Sequence, residues 1–372
     1  MIIKKLIINN LRIHEHSKYE FDAGINVIHG LNGTGKTTIL EAISIASLSK
    51  SFLPVTENSL INYEKDFYLI KLDATSDLGI PYNIKIDNKK GKKKQISGSE
   101  GDNLVPKDII GNLPTVILTP DFKNITFGSP SDRREFLDKI LSQSSKRYIE
   151  SYLKMKRSLK QRNNLLNNRK NNRELDKPLL DAWTDLFIRS SADVVLKRNN
   201  FINEFKPYFK DYYKYLSNGK ENVDLKYKPN YLISNDLEEN SLEKIIENYY
   251  NVWLETREEE LIKGTTQFGP QKDELKMILD KGIAKDVASQ GQHKSLLISL
   301  KFAEFQFLKD KKNETPVFIF DDIFAELDHK RSEQLLKLLN EHKTQTFITV
   351  TDTSLIKDKI DDKTMKYIGI NV

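Results

Sequence analysis

The sequence predicts an α/β fold in which a mixed or parallel sheet is interrupted by a mostly helical insertion. Two observations support this prediction. Short apolar runs such as INVIH and PVFIF lie towards the two chain ends, and each precedes a helical pattern, as in a parallel sheet covered by helices. Between them, from about residue 125 to 262, long charged segments carry helical spacing.

The elements follow in order along the chain. IIKKLIINN and KYEFDAGINVIHG predict paired strands, and TTILEAISIASLS repeats its apolar residues at helical spacing. DFYLIKLDAT, PYNIKID and PTVILTP are further strand candidates. After residue 264, SLLISLKFAEFQFLK predicts an apolar-faced helix, and PVFIF and TQTFITVT predict strands. We therefore expect one lobe from residues 1–124 and 263–372, and a helical arm from residues 125–262.

Composition excludes several kinds of protein. The 372-residue chain has no cysteine, which excludes disulfides, thiolate zinc sites and cysteine nucleophiles and fits a reducing cytoplasm. No apolar run approaches the ~18–20 residues that span a bilayer, and the N-terminus lacks a signal-peptide pattern. The 59 basic and 53 acidic residues give a formal charge of +6, which permits a polyanionic partner. We expect a cytoplasmic protein without membrane contact.

A phosphate-binding loop connects the strand INVIH to the first helix. Residues 30–37, here called the phosphate loop, match G-x-x-x-x-G-K-[ST] at every position. Its glycines let backbone N–H groups approach phosphates at a helix N-terminus. Lys36 is placed to reach the β- and γ-phosphates, and the Thr37 hydroxyl to ligate Mg²⁺. The predicted ATP-binding residues are Gly30, Leu31, Asn32, Gly33, Thr34, Gly35, Lys36, Thr37 and Thr38.

Two carboxylates end the apolar strand PVFIF. The first, Asp321, is the expected Mg²⁺ partner. The second, Asp322, is placed to orient or deprotonate the attacking water. Asp322 and Lys36 are therefore the candidate catalytic residues, and Thr37 and Asp321 the candidate metal ligands.

A short polar cluster precedes these carboxylates. Ser289, Gln290, Gly291 and Gln292, here called the signature cluster, stand at the start of an apolar-faced helix. The order of phosphate loop, signature cluster, carboxylates and a following turn at Asp328 resembles the ABC-type ATPases. That resemblance implies an ABC-type P-loop head, with Ser289 and Gly291 capping the γ-phosphate bound by a second subunit. Asp328 would help to align the opposite site, so that ATP holds a homodimer that hydrolysis releases.

Further segments resemble one branch of that class, the RecF family of bacterial recombination mediators, which is related to the SMC heads. Asn10-Leu11-Arg12 is similar to the family's N-terminal motif, which places Arg12 among the nucleotide-binding residues. TPDFKNITFGSPSDRREFLDKIL, GTTQFGPQKDEL and ASQGQHKSLLISLKFAE follow in family order, and the match runs nearly end to end.

The sequence also departs from the patterns it resembles. Leu53 stands where the RecF motifs have arginine, and Gln271, Lys272 and Glu274 stand where they have histidine, arginine and aspartate. Residues 350–352 lack the switch histidine of transporter ATPases. No Q-loop glutamine is assigned, and whether Asp121 replaces it is left open.

The resemblance implies a function in DNA repair. It implies a weak ATPase with ATP and Mg²⁺ as cofactors. It implies ATP-dependent binding to double-stranded DNA and to gapped DNA with a single-strand/double-strand junction. It also implies that the protein helps to load RecA together with RecO and RecR. It also implies a place in DNA replication and the SOS response.

Basic segments offer candidate DNA contacts from the residues themselves. A lysine-rich hairpin tip and the helix over residues 146–173 could each neutralise phosphates, or each could be an ordinary solvated surface. The lysines of the tip are Lys89, Lys90, Lys92, Lys93 and Lys94. His14 and His16 lack metal-ligand spacing, and both are predicted to lie on the surface.

Other functions remain to be weighed. The alternative is a head-type ABC ATPase of another DNA-maintenance or transport complex. A transporter subunit should be shorter and carry a switch histidine, and a chromosome-structuring head should contain hundreds of heptad residues. A nuclease of the overcoming-lysogenisation type would need a further carboxylate-rich metal domain. The sequence shows neither the switch histidine, nor the long heptad stretches, nor the further metal domain that these three classes would require.

Overall fold

The computed structural model describes residues 1–99, 101–171, 174–231, 241–357 and 365–370. The chain divides into two compact units, one formed by Met1–Phe122 with Lys294–Val372 and the other by Lys123–His293. The predicted α/β class is confirmed. The second unit extends past residue 262, where the arm was expected to end, because Glu274–Leu279 pairs with Val223–Lys228 inside it.

Strands and helices are numbered in chain order. The strands are β1 Ile2–Leu11, β2 His14–Glu20, β3 Ile25–His29, β4 Phe67–Thr75, β5 Pro81–Lys89, β6 Gln95–Ser97, β7 Asn103–Leu104, β8 Thr115–Leu118, β9 Val223–Lys228, β10 Glu274–Leu279, β11 Gly282–Ile283, β12 Val317–Phe320, β13 Thr346–Val350 and β14 Met365–Gly369. The helices are α1 Lys36–Leu48, α2 Pro106–Ile109, α3 Asn124–Phe127, α4 Pro130–Ser144, α5 Lys146–Lys170, α6 Lys177–Ser217, α7 Leu242–Lys263, α8 Ala284–Val287, α9 Gln290–Lys312, α10 His329–His342 and α11 Ser354–Lys357.

The described residues of the first unit form two sheets. One is antiparallel with the strand order β2-β1-β4-β5-β6-β7, and its strands alternate buried and exposed residues, as expected for a sheet with one face on the core. The other has the order β14-β3-β13-β12-β8, and every neighbouring pair in it is parallel. Its strands β8, β12 and β13 are buried throughout, which explains why they appear in the sequence as continuous apolar runs.

Helix α1 joins the two sheets into one core. All of its residues except Thr37 are buried, and they pack with Ile3 and Leu6 of the antiparallel sheet and with Ile319 and Phe347 of the parallel sheet. A helix that is covered on all sides is close-packed against its neighbours. The residues at its N-terminus are therefore fixed relative to both sheets.

The second unit is mainly helical and also holds the antiparallel sheet β11-β10-β9. Its longest helices are α5, α6 and α7, and α6 has 41 residues. Helix α9 begins in this unit and continues into the first unit at Lys294. Over the described ranges of the chain, no helix combines the length and the apolar character needed to cross a membrane.

Buried charges connect the helices of the second unit through the segment GTTQFGPQKDEL, residues 264–275. The Arg198 guanidinium donates to Asp138 at 2.8 Å and to Asp273 at 3.0 Å, and Asp273 is fully buried. Burial raises the pKa of Asp273, and the charge of Arg198 together with hydrogen bonds from Tyr227, the Asn230 backbone and Arg198 opposes that rise. A second network links Arg162 to Glu260, with an N–O separation of 2.5 Å. The hydrogen bonds and ion pairs of this segment therefore link helices to strands inside the unit.

Two of the family departures in this segment, Gln271 and Lys272, have local partners. Gln271 Nε2 donates to the Phe268 carbonyl at 2.6 Å, and Lys272 Nζ donates to Gln267 Oε1 at 3.1 Å. Burial and the nearby Lys263 charge lower the pKa of Lys272. Both substitutions are therefore accommodated by neighbours within the second unit.

Candidate nucleotide site

The phosphate loop leaves the buried end of β3 and enters α1. Gly33 and Gly35 have φ values of 83° and 88°, in the left-handed region that favours glycine. A Cβ at Gly35 would overlap the imidazole ring of His14, and one at Gly30 would lie 2.7 Å from the backbone oxygen of Ile370. Gly35 is thus required by both conformation and space, Gly33 by conformation, and Gly30 by the space beside Ile370.

The Lys36 ammonium is held against this loop. Its Nζ donates to the carbonyls of Gly30 and Leu31, both at 2.8 Å, and the side chain is 5% exposed. An ammonium has three N–H donors, so two carbonyl bonds leave one for a further acceptor such as a phosphate oxygen. The residue is therefore oriented for the role that the motif predicts.

Thr37 and Asp321 come together from distant parts of the chain. Thr37 Oγ1 donates to Asp321 Oδ1 at 2.9 Å, and Thr349 Oγ1 donates to the same oxygen at 2.8 Å. The backbone N–H of Asp322 donates to Thr349 Oγ1 at 2.9 Å. Because β3, β13 and β12 are parallel neighbours, the residues that follow them meet at one edge of the sheet.

This pair fits a magnesium ion. Octahedral Mg²⁺ binds oxygen at about 2.0–2.1 Å, so two adjacent ligands lie about 2.9 Å apart, as the oxygens of Thr37 and Asp321 do. Within the part of the chain that the structure describes, no three His, Cys, Asp or Glu side chains cluster as a metal cage. An ion here would be held by one hydroxyl, one carboxylate, phosphate oxygens and water, as is usual for Mg²⁺ beside nucleotides.

Asp321 is more deeply buried than Asp322. Asp321 is 7% exposed, and burial raises its pKa above the usual value. Hydrogen bonds from Thr349 and Thr37 oppose that rise, and the charges of Asp322 and Glu41 add to it. A cation would favour the ionised form of Asp321. Asp322 is half-buried and has a φ of 49°, a left-handed conformation of the kind found at functional sites.

Arg12 is tied to the helix that follows the phosphate loop. Its Nη2 donates to Glu41 Oε1 at 2.8 Å, and its Nε lies 2.5 Å from Glu41 Oε2. Ser51 Oγ donates to Glu41 Oε1 at 2.7 Å, and Glu41 is fully buried. Arg12 itself has a left-handed φ of 51°. Arg12, predicted from the family motif, is therefore anchored one helical turn beyond Thr37.

The prediction that His14 lies on the surface is wrong. The side chain is 6% exposed, its Nε2 lies 3.1 Å from the Gly35 carbonyl oxygen, and its Nδ1 lies 2.9 Å from Ser17 Oγ. Burial lowers the pKa of His14, while the bond to Gly35 opposes that change. Its place at the start of β2 gave no sign of this contact with the loop. The same prediction for His16 is confirmed, since that residue is exposed.

The signature cluster and Asp328 belong to different units. Ser289 to His293 lie in the second unit, where the exposed Ser289 precedes α9. Asp328, in the first unit, is the N-cap of α10 and accepts from the Arg331 backbone N–H at 3.0 Å. Burial alone would raise the pKa of Asp328, but the hydrogen bonds from Arg331 lower it below its usual value.

Four of the five lysines of the hairpin tip are exposed. They lie at the end of β5 and in the turn after it, and the exception is Lys94. Lys94 Nζ donates to the Ser49 carbonyl at 2.5 Å and to Glu57 Oε1 at 2.6 Å, so its charge is already paired. On α5, Lys156 and Arg157 are exposed beside aromatic rings, whereas Arg162 is fully buried. Arg173, the end of the predicted basic helix, lies outside the described residues.

Comparisons with known proteins agree with these features. The family model described as RecF/RecN/SMC N terminal domain matches residues 2–369. The chain is 36% identical to a DNA replication and repair protein RecF of Prosthecochloris aestuarii over 91% of this chain and 90% of that protein. It is 32% identical to the RecF protein of Bacillus subtilis over 100% of this chain and 97% of the relative.

Solved structures are also similar. A structure described as the recombination mediator protein RecF-ATPrS in the RecFOR pathway has a TM-score of 0.89 at 28% identity, covering 98% of this chain and 95% of that chain. An Smc head domain from Pyrococcus furiosus has a TM-score of 0.56 at 14% identity, covering 99% of this chain and 93% of that one, and supports the fold alone.

Proposed function

The chain belongs to the RecF family of DNA replication and repair proteins, and we propose that it is an ATP-switched DNA-binding protein of recombinational repair. The observation that carries this proposal is the 2.9 Å pairing of Thr37 with Asp321 beside the ammonium of Lys36. It joins a phosphate cradle to a pair of oxygens with magnesium spacing. The similarity to a RecF structure described with ATP supports ATP as the ligand.

Hydrolysis is proposed to be slow and to reset the switch. Asp322 follows the metal-binding carboxylate, and its half-buried side chain lies at the same edge of the sheet as Thr37. A carboxylate there is suited to orient the attacking water. Lys36 and Mg²⁺ would neutralise the charge that develops on the transferred phosphoryl group.

The dimer is proposed to form by completing each ATP site with a second subunit. Ser289 is exposed ahead of a 23-residue helix, so its hydroxyl and the helix N-terminus are available to an anion. Placed on a partner's γ-phosphate, Ser289 and Gly291 would bind only the closed dimer, which is the differential contact that a nucleotide switch requires. Asp328 would contribute from the turn before α10.

DNA and protein partners follow from the family and the charge. The exposed lysines of the hairpin tip and the basic face of α5 would contact phosphates without reading bases. The relatives described as part of the RecFOR pathway support RecO and RecR as partners. We propose that the bound form recognises gapped DNA at single-strand/double-strand junctions and assists RecA loading.

Nucleotide-dependent sedimentation tests the dimer. Asp322→Asn should accumulate an ATP-bound dimer, because the bound state forms but is not reset. Ser289→Arg should bind ATP and stay monomeric, and Lys36→Arg should lose tight nucleotide binding. Ser99→Arg, at an exposed turn of the first unit, is the matched control. Normal dimerisation of Ser289→Arg would contradict the shared site.

Salt dependence tests the DNA contacts. Changing the four exposed tip lysines, Lys89, Lys90, Lys92 and Lys93, to glutamine should weaken DNA binding and reduce the slope of log K against log salt by about 3–4. A control changes the exposed lysines 107, 220, 281 and 285. Equal losses in both variants would indicate a general charge effect, and an unchanged slope in the tip variant would exclude the tip.

A further inference from the structure

The Gln292 side chain links the signature cluster to a carboxylate elsewhere in the second unit. Gln292 Oε1 accepts from the backbone N–H of Ser289 at 2.6 Å, and the backbone N–H of Gln292 donates to Ser289 Oγ at 3.3 Å. The Gln292 Nε2 donates to Glu221 Oε1 at 2.8 Å. Both ends of one amide are therefore engaged, one with the residue proposed to contact phosphate and the other with Glu221.

Glu221 is itself fixed on both sides. Its Oε2 accepts from the hydroxyl of Tyr213 at 2.6 Å, and Tyr213 is fully buried in α6. The next residue, Asn222, donates its backbone N–H to Asp280 Oδ1 at 2.9 Å, and its carbonyl accepts from the Asp280 N–H at 2.7 Å. The carboxylate is thus bonded to a 41-residue helix, and the backbone of the following residue is bonded to the turn between β10 and β11.

The chemistry of the two side chains makes this contact directional. An ionised carboxylate only accepts hydrogen bonds, whereas an amide has one accepting and one donating end. Glu221 therefore holds the donating end of Gln292 and leaves the accepting end towards Ser289. If the amide turned over, its NH₂ group would face the Ser289 N–H, and two donors would meet.

We propose that Glu221 is a positioning residue that orients the signature cluster, through Gln292, for the γ-phosphate bound by a second subunit. This proposal rests on the proposed ATP-dependent dimer. The inference goes beyond the proposed dimer, because it assigns to the end of α6 a role in completing the ATP site shared by two subunits. A movement of α6 would reach Ser289 through Tyr213, Glu221 and Gln292.

An exchange of donor and acceptor tests the proposal in the full-length protein. In Glu221→Gln, the side chain has one accepting oxygen where the carboxylate has two, so it can keep the bond from Gln292 only by giving up the bond from the buried Tyr213 hydroxyl. We expect unchanged ATP binding to the monomer and about a tenfold loss at each shared site, hence roughly a 100-fold weaker ATP-dependent dimer if two sites form. Glu258→Gln, at an exposed glutamate of α7, is the control and should dimerise as the unmodified protein does.

The second variant distinguishes positioning from general damage. Glu221→Gln combined with Gln292→Glu restores the pattern, because the carboxylate at position 292 accepts from both Ser289 and the amide at position 221. Dimerisation should recover to within about tenfold of the unmodified protein. An unchanged dimer in Glu221→Gln, or no recovery in the double variant, would overturn the proposal.

Hydrogen exchange in the nucleotide-free protein separates this inference from the proposed function. The Ser289 amide should exchange faster in Glu221→Gln and return to its original rate in the double variant. If these rates change but the unmodified protein never dimerises with ATP, the dimer proposal is wrong and the orienting contact is right. If the rates do not respond, Glu221 does not orient the cluster, whatever the dimer does.

Discussion

Replacing Thr349 by valine should loosen the edge of the parallel sheet where Asp321 and Asp322 lie. The Thr349 hydroxyl donates to Asp321 Oδ1 at 2.8 Å and accepts from the Asp322 N–H at 2.9 Å. Valine has nearly the same shape, so the change removes both bonds without creating a large cavity. The loss leaves a buried carboxylate and a backbone N–H each short of a partner.

The expected cost is about 2–4 kcal/mol, because one of the two bonds is made to a carboxylate and the groups left behind are poorly solvated. Thr346→Val is the matched control on the same strand. Thr346 is also fully buried, but its hydroxyl makes one bond of 3.2 Å to the Thr344 carbonyl. Its loss should cost about 1 kcal/mol.

The assay must report on the first unit. The two tryptophans of the chain, Trp183 and Trp253, both lie in the second unit, so their fluorescence would not follow this change. Hydrogen exchange of β12 and β13 amides measures the local opening free energy directly. Magnesium-dependent ATP binding gives the functional readout. A Thr349→Val protein as stable as Thr346→Val, with unchanged magnesium dependence, would refute this account of the edge.

Further outcomes follow from the same contacts. Burial raises the pKa of Asp321, so its ionisation destabilises the nucleotide-free fold as pH rises through that pKa, and stability returns as pH falls. Asp321→Asn should therefore flatten this part of the pH–stability curve and stabilise the nucleotide-free protein at neutral pH. The same variant should bind ATP more weakly in the presence of magnesium. A pH–stability curve of unchanged shape would contradict this account of Asp321. Arg198→Met should destabilise the second unit by about 3–5 kcal/mol in urea followed by tryptophan fluorescence, because Asp138 and Asp273 lose their cation. Arg189→Met, at an exposed pair on the same helix, should change stability far less, and equal effects would argue against the buried network. Gly35→Ala should abolish ATP binding in a nucleotide titration, since a Cβ would meet the His14 ring, and retained affinity would show that the loop adapts.

Local sequence was sufficient for the parts of the site that depend on neighbours along the chain. The phosphate loop, Lys36 and the carboxylates after PVFIF were predicted because a glycine-rich turn and a strand end are set by adjacent residues. The same holds for the parallel sheet, since strands buried on both faces must be continuously apolar. The family resemblance then supplied Arg12, which no spacing rule would have chosen.

The remaining contacts depend on residues far apart in the chain. His14 follows a strand and has no helical or metal-ligand spacing, yet the fold brings its ring against Gly35. The sequence gives Thr349 no feature beyond a place in a strand, and its role depends on the position of β13 between β3 and β12. Lys94 belonged to a basic run, but Glu57 and Ser49 pair with it.

What the sequence by itself determined about this protein is the order of its candidate site residues: a phosphate loop, a signature cluster, and a carboxylate predicted to share a magnesium ion with the hydroxyl that ends the loop. The tertiary structure decided which side chains orient that chemistry, among them Thr349 at Asp321 and Glu221 at Gln292. The physical reason is that a motif needs only a short stretch of backbone. A hydrogen bond between residues that are distant in sequence requires the strands and helices that carry them to be packed together first.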